Sequence, residues 1–171
     1  MARNYNIPNY HTDPKAESLV DMALRFPQRV VSEDGTRGLV VKISPSLVAK
    51  FRRVTGETDE LFKEFHIANR LHKGGVLVPE PEGIFEIPFK VEGYYNCGSA
   101  FPALVMEFVD GHGIKELYGN ELREALESAS RQYIKAERLG FHAADKEGGN
   151  FIWAPDKGGS FLIDFEFWSK F

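Results

Sequence analysis

The sequence predicts an α+β fold in which a sheet-rich first half precedes a helical second half. Short runs of β-branched residues, separated by turn-forming residues, lie between residues 29 and 53 and predict an antiparallel meander of strands. Apolar residues at helical spacing predict helices over residues 59–73 and 122–136. With 171 residues, 43% of them hydrophobic, the chain can bury the core of one domain.

Composition and charge exclude several classes of protein. The 21 basic and 25 acidic residues give a formal net charge of −4, so we expect no dedicated nucleic-acid surface. The opening residues lack the apolar stretch of a signal peptide, and no apolar run is long enough to span a membrane. We therefore expect a soluble, cytoplasmic chain with no membrane partner. The lone cysteine, Cys97, excludes an internal disulfide and a cysteine-based zinc site.

The first half of the chain is predicted to contain a helix, a meander and a second helix. The first helix begins at Thr12-Asp13-Pro14 and ends before Pro27. The helix over residues 59–73 is predicted to be capped by Thr58 and ended by Gly74-Gly75. Its apolar stripe, which we expect to be buried, consists of Leu61, Phe65, Ala68 and Leu71.

Three further extended segments are predicted between residues 76 and 108. Segments at residues 76–78, 84–87 and 103–108 add to the meander, and we expect an antiparallel five-stranded sheet. The long helix over residues 122–136 is predicted to be capped by Asn120 and ended by Gly140. The last predicted element is a hairpin with strands 151–153 and 161–163 and a turn over residues 154–160.

The hairpin carries the first candidate site. Folding it about residue 157 would place Asn150 opposite Asp164, with side-chain roots about 5 Å apart. An amide oxygen and a carboxylate at that distance suit Mg²⁺, which takes its remaining ligands from water and substrate phosphates. Two polar residues that merely end their strands would give the same pattern, and the spacing alone leaves both interpretations open.

A third oxygen group precedes this pair. Asp145 lies five residues before Asn150 on a loop that Gly148-Gly149 allow to fold back tightly. A carboxylate beside a metal-bound phosphate, without being a metal ligand, is placed to accept a proton from an acceptor hydroxyl. The alternative is a solvated loop aspartate.

Lys50 and Glu64 form the second candidate site. On a helical wheel Glu64 lies between Ala68 and Leu71, inside the apolar stripe, where a carboxylate is unfavourable unless a cation pairs with it. Lys50 lies in the apolar strand 48–51 and would supply that cation. In such a pair the carboxylate holds the ammonium as a point charge for phosphate oxygens. Alternatively, Lys50 extends to solvent and Glu64 lies at the edge of its stripe.

Taken in order, these residues resemble the eukaryotic-like protein kinase superfamily over about residues 28–171. Lys50 matches the phosphate-anchoring lysine of the third strand, and Glu64 matches the glutamate of the C helix. Residues 104–111 are similar to the hinge of that family. The resemblance implies that Met106 is the gatekeeper and that the backbone of Glu107 and Val109 faces adenine.

The same resemblance extends to the second half of the chain. Residues 145–150 are similar to the catalytic loop, whose Asp and Asn are also five residues apart, and residues 163–166 resemble the metal-binding D-F-G motif. Gly35 and Gly38 stand where the family has its glycine-rich loop.

Several positions depart from the family pattern. Ala143-Ala144 replace the His-Arg before the catalytic aspartate, and Glu166 replaces the glycine of D-F-G, as in some aminoglycoside- and choline-type kinases. The sequence continues for five residues after Glu166. We therefore expect a catalytic region truncated after the D-F-G-like motif, similar to an extreme form of the small RIO-like atypical kinases.

The resemblance implies a protein-kinase-like, two-lobed fold. Residues 1–27 would form an N-terminal helical extension, residues 28–110 the N-lobe and hinge, and residues 111–171 a minimal helical C-lobe. ATP would bind between the lobes, Lys50 and Asp145 would be catalytic, and Mg²⁺ would bind the carboxamide and carboxylate of the hairpin.

The resemblance also bears on the phosphoryl acceptor and on protein partners. It implies a minimal serine/threonine protein kinase with a protein substrate. Two alternatives stay open: a kinase that phosphorylates the hydroxyl of a small molecule, and a nucleotide-binding pseudokinase scaffold. The resemblance also leaves room for a protein partner that completes the short C-lobe.

Overall fold

The computed structural model describes residues 13–32, 38–52, 58–94, 97–144 and 149–170. The described residues divide into two compact units. The first unit contains residues up to Phe65 together with Pro81–Phe108, and the second contains His66–Glu80 and the residues from Val109 onward. The predicted grouping into residues 1–27, 28–110 and 111–171 stays a prediction. No described helix has both the length and the apolar character that a membrane span requires.

The first unit is built on the predicted five-stranded antiparallel sheet. Its strands are β1 (Arg29–Ser32), β2 (Gly38–Lys42), β3 (Leu47–Arg52), β4 (Pro81–Pro88) and β5 (Ala100–Glu107). Their spatial order is β1-β2-β3-β5-β4, so the predicted meander forms one half of the sheet. The predicted extended segment at residues 76–78 contributes no strand to it and belongs to the second unit.

The predicted N-terminal helix is present as α1 (Pro14–Arg25). Asp13 caps it, since its side chain accepts hydrogen bonds from the backbone N–H groups of Lys15 and Ala16 at 2.9 and 3.2 Å. Lys15 also forms an ion pair with Glu82 of β4, with 2.7 Å between Nζ and Oε2. The buried side chains of α1 join the core on one face of the sheet; they are Ala16, Leu19 and Ala23.

The register of β3 and β5 shows which residues share each face of the sheet. Ala49 pairs with Val105, and both belong to the core cluster that includes α1. Lys50 pairs with Leu104, so by alternation these two side chains lie on the opposite face. Leu104 packs there against Leu61, and this contact brings the second helix over the face that carries Lys50.

That second helix is α2 (Thr58–Lys73). Thr58 is its first helical residue and not its cap, which corrects the predicted start by one position. The end is as predicted: Gly75 has a φ of +77°, and the N–H of Val76 donates to the carbonyl of Leu71 at 3.0 Å. The helix residues up to Phe65 belong to the first unit.

The second unit combines one long helix with short strands. In chain order they are β6 (His112–Gly113), α3 (Gly119–Arg138), β7 (Phe141–Ala143), β8 (Phe151–Ala154), β9 (Gly159–Leu162) and β10 (Trp168–Lys170). Strands β6, β8 and β9 form one sheet, and β7 pairs with β10 in another. Asn120 lies in the first turn of α3 and is not its cap, whereas Gly140, with a φ of +83°, ends the helix as predicted.

A buried polar network attaches the β8–β9 hairpin to α3. The N–H of Ser160 donates to Oγ of Ser128 at 2.9 Å, and the hydroxyl of Ser160 donates to the carbonyl of Ala125 at 2.7 Å. Gly159 lies directly beside this network, where an added Cβ would be only 2.4 Å from Oγ of Ser128. The hairpin can therefore approach the helix only because position 159 has no side chain.

We expect Gly159→Ala to lower the free energy of unfolding by about 2–4 kcal/mol, because it combines backbone strain with a clash in a packed region. Gly158→Ala is the matched control. Gly158 also has a positive φ, +105° against +139° at Gly159, but its Cβ would meet nothing within 4 Å. Urea unfolding of the two variants measures the difference. If both variants lost the same free energy of unfolding, the close approach of Gly159 to α3 would make no contribution to stability.

Candidate functional site

The predicted ion pair between Lys50 and Glu64 is confirmed as a contact. Nζ of Lys50, on β3, donates to Oε1 of Glu64, on α2, over 2.6 Å. The two side chains are only 11% and 2% exposed. Glu64 is buried because it lies in the apolar stripe of α2, one turn after Leu61 and one turn before Ala68. The structure thus presents a buried ammonium whose position is held by a carboxylate.

A second cation that the sequence analysis missed lies at the same carboxylate. Nη2 of Arg52 is 3.5 Å from Oε2 of Glu64 and 3.5 Å from Oε2 of Glu60. The side chain of Arg52 is 4% exposed. Two sequence signals could have found it, since Arg52 follows Lys50 by two residues on one strand and Glu60 precedes Glu64 by four on one helix. Each spacing places its pair of side chains on one face.

Of the two glycines expected in the phosphate loop, one can be placed. Gly38 begins β2 and pairs with Arg52. An added Cβ at Gly38 would be 3.4 Å from Cε of Lys50, so the glycine lies directly beside the lysine side chain. Gly35 lies outside the described residues. The role of both glycines at a nucleotide stays a prediction.

The residues expected to form the hinge follow one another from β5 into the second unit. Met106 packs against the cluster of Leu61, Ile84 and Leu104, and Glu107 is the last residue of β5. The next residue, Phe108, donates its N–H to the carbonyl of Ser46 at 2.7 Å. Val109, which is 4% exposed, already belongs to the second unit. The recognition of adenine by this segment stays a prediction.

The hairpin register differs by one residue from the predicted register. Phe151 pairs with Leu162, and the N–H of Ile163 donates to the carbonyl of Asn150 at 2.9 Å. Asn150 is therefore opposite Ile163, and the predicted opposition of Asn150 and Asp164 is wrong. The cause is the turn, which is shorter than predicted: a 3-10 turn over Pro155–Lys157 and Gly158 connect the strands.

The backbone conformation of Asp164 affects where its side chain points after the one-residue shift in register. A continuing strand would turn the side chain of Asp164 away from the face that carries Asn150. However, Asp164 has a φ of +59°, the only positive value among non-glycine residues in the described ranges. This left-handed conformation interrupts the strand alternation at Asp164. Aspartate tolerates it better than most residues, and such strained positions are concentrated at functional sites.

The residue after Asp164 is anchored in the core of the second unit. Phe165 is 4% exposed and packs edge-to-face on Trp168, with 5.3 Å between the ring centroids. Trp168 stacks in turn on Tyr133 of α3, at 5.8 Å. The burial of Phe165 thus holds the backbone of Asp164 in place.

Asp145, the predicted catalytic carboxylate, lies outside the described residues, as do residues 146–148. The described residues on either side of this gap both contact the segment around Asp164. On one side, the N–H of Ala144 donates to the carbonyl of Phe167 at 3.4 Å. On the other side, the carbonyl of Asn150 accepts from Ile163. The position and role of Asp145 stay a prediction.

The donor set of the hairpin fits a hard divalent cation. Asn150 and Asp164 offer a carboxamide oxygen and a carboxylate from one end of the hairpin, and both side chains are half-buried. In the parts of the chain that the structure describes, no three His, Cys, Asp or Glu residues come together as a metal-ion group. A two-oxygen site of this kind suits Mg²⁺, which retains water and phosphate ligands.

The comparison with known proteins rests on structure. No protein-family model matches the chain, and no curated protein matches it in sequence. A Stt7 homolog from Micromonas algae, in a crystal soaked with ATP, matches with a TM-score of 0.62 and 17% sequence identity over 98% of this chain. WbdD, crystallised with the kinase inhibitor LY294002, matches with a TM-score of 0.53 and 18% identity over 80% of this chain.

The chain spans 55% of the length of the Stt7 homolog and 32% of the length of WbdD. At these sequence identities the likeness concerns the fold. The match to the Stt7 homolog covers nearly the whole chain, including the five-stranded antiparallel sheet and the helix α2 that carries Glu64. The expected fold class is therefore confirmed: this is a mixed α and β chain with a protein-kinase-like fold.

Proposed function

We propose that the protein is an ATP- and Mg²⁺-dependent phosphotransferase. The observation that carries the proposal is the buried ion pair of Lys50 and Glu64, 2.6 Å long, in a chain with a kinase-like fold. The side chain of Lys50 is 11% exposed, so it has little contact with water, and a carboxylate holds its ammonium at a defined place. Such a preorganised cation suits the phosphate oxygens of a nucleotide.

Each predicted site residue has a distinct task in this proposal. Lys50, oriented by Glu64, donates hydrogen bonds to the α- and β-phosphate oxygens. Asn150 and Asp164 hold Mg²⁺, which when bound screens the charge of the γ-phosphate. The backbone of Glu107 and Val109 binds adenine beside Met106, with Gly35 and Gly38 near the phosphates.

The acceptor side of the reaction depends on Asp145. Its carboxylate orients the acceptor hydroxyl and takes the proton as the phosphoryl group is transferred. We propose the hydroxyl of a protein serine or threonine as the acceptor and the cytoplasm as the location. Glu166, in place of a glycine, favours a small-molecule hydroxyl as the second candidate.

Incubation of the purified protein with γ-labelled ATP and Mg²⁺ tests the proposal. We expect label transfer to protein serine or threonine, and a loss of about 100-fold or more in Asp145→Ala, since a positioned acid or base contributes about that factor. Asp156→Ala, an exposed aspartate in the turn of the same hairpin, is the control and should retain the rate.

The outcomes separate the alternatives. Label that appears only on members of a metabolite panel would identify a small-molecule kinase. Tight nucleotide binding without any transfer would identify a pseudokinase scaffold. Equal labelling by wild type and Asp145→Ala would contradict the role proposed for this carboxylate.

A further inference from the structure

The pair of Lys50 and Glu64 is part of a larger group of charged side chains in the first unit. We call this group the charge cluster; it consists of Lys50, Arg52, Glu60 and Glu64. Three of the four side chains are 11% exposed or less, and the fourth, Glu60, is 37% exposed. Glu64 interacts with a different cation through each oxygen, with Lys50 at 2.6 Å through Oε1 and with Arg52 at 3.5 Å through Oε2. Glu60, on the preceding turn of α2, is 3.5 Å from the same nitrogen of Arg52.

The charges within the cluster balance, but the distances are unequal. Two cations face two carboxylates, so the formal charges of the four residues sum to zero. The contact between Lys50 and Glu64 is short, whereas the contacts of Arg52 with Glu60 and with Glu64 are at the distance limit of a hydrogen bond. Arg52 is therefore divided between two carboxylates and is placed to approach Glu64 more closely.

A buried carboxylate is costly whenever its cation leaves. When Lys50, still paired with Glu64, also donates to phosphate oxygens, its ammonium is shared between the carboxylate and the phosphates, and its attraction to Glu64 is weaker. The guanidinium of Arg52 stays charged at any physiological pH and remains next to the other oxygen of Glu64. Arg52 can thus compensate Glu64 for the part of the lysine charge that the phosphates take up.

We propose that Arg52 is a positioning residue that makes Lys50 available to phosphate groups by neutralising Glu64. The inference rests on the proposed function, because it concerns the same lysine. Without Arg52, the other three charges sum to −1 and Glu64 interacts with Lys50 more strongly. Without the charge of Glu60, the sum is +1 and Arg52 can pair fully with Glu64. The two changes therefore alter phosphate binding in opposite directions.

Calorimetric titration with ADP and Mg²⁺, and separately with adenosine, tests the inference. We expect Arg52→Met to weaken ADP binding about tenfold and to leave adenosine binding unchanged, since adenosine carries no phosphate. Arg52→Lys should restore most of the affinity, and Glu60→Gln should bind ADP more tightly than wild type. Arg29→Met is the matched control, because Arg29 is an exposed arginine on the same sheet.

A double-mutant cycle shows whether Arg52 acts through Lys50. In a Lys50→Met background, the additional change Arg52→Met should leave ADP affinity unchanged, because no lysine remains to be positioned. A further tenfold loss in that background would overturn the inference, since Arg52 would then act on the phosphates directly. An equal loss of ADP and adenosine binding would also overturn it and would indicate a structural role.

The cycle also separates this inference from the proposed function. If Lys50→Met weakens ADP binding but Arg52→Met does not, the phosphotransferase proposal stands and the role of Arg52 fails. If Lys50→Met leaves ADP binding unchanged, the lysine does not bind phosphates, and both proposals fail.

Discussion

Glu64→Ala is expected to destabilise the protein more than Lys50→Met, although the two residues form one ion pair. Glu64 is 2% exposed and lies between two cations, Lys50 and Arg52. Its removal leaves both cations buried without the carboxylate between them, and we expect a loss of about 3–5 kcal/mol in the free energy of unfolding. Lys50→Met leaves Glu64 beside Arg52, and we expect a loss of about 1–3 kcal/mol. Urea denaturation measures both values.

The double variant supplies the control for this comparison. Once Glu64 is alanine, changing Lys50 to methionine removes a buried charge that has lost its pairing with Glu64, so Lys50→Met/Glu64→Ala should be more stable than Glu64→Ala alone. Equal losses in the two single variants would show that Arg52 does not compensate Glu64. The charge cluster would then be a simple pair.

Asp164→Asn is expected to reduce phosphotransfer by about 100-fold or more, because a neutral carboxamide would replace the anionic ligand that we propose for Mg²⁺. Stability should change by less than about 1 kcal/mol, since asparagine also tolerates the left-handed conformation at a φ of +59°. Steady-state rates over a range of Mg²⁺ concentrations, together with thermal unfolding, measure the two effects. The loss should be smaller at high Mg²⁺ concentrations.

Comparing Asp164→Ala with Asp164→Asn separates the effect of backbone strain on stability from the effect of the carboxylate on phosphotransfer. Alanine also removes the proposed metal ligand, but it fits the left-handed region poorly and should lower the free energy of unfolding by about 1 kcal/mol more than asparagine does. A wild-type rate in Asp164→Asn would refute the metal role, whatever the stability of the variants. Equal stability of the alanine and asparagine variants would show that the conformation at this position is not strained.

The local elements of the fold were predicted well because their signals are local. The start of α1 at Asp13-Pro14, the glycine that ends α2 and the strands of the meander each depend on a few neighbouring residues. Glu64 was recognised for a similar reason, since a carboxylate inside an apolar stripe needs a cation. By contrast, β7 and β10 are three-residue strands far apart in the chain, and their pairing has no local signature.

The hairpin shows where the sequence pattern stopped being sufficient. All four residues of β9 are buried, so no alternation of polar and apolar residues specifies which residue faces Asn150. The register depends on a tight turn at Gly158 and on the contact of Gly159 and Ser160 with Ser128 of α3. Because the predicted register was wrong by one residue, Ile163 and not Asp164 lies opposite Asn150.

The sequence by itself determined the elements of the kinase-like fold and the pairing of a lysine with a glutamate, because hydrophobic periodicity and the cost of a buried charge act over short distances. Only the tertiary structure decided the hairpin register, the strained backbone of Asp164 and the entry of Arg52 into the charge cluster. These features depend on how α2 packs on the sheet and α3 on the hairpin. Such packing brings together side chains that are distant in the sequence, and no local sequence pattern encodes it.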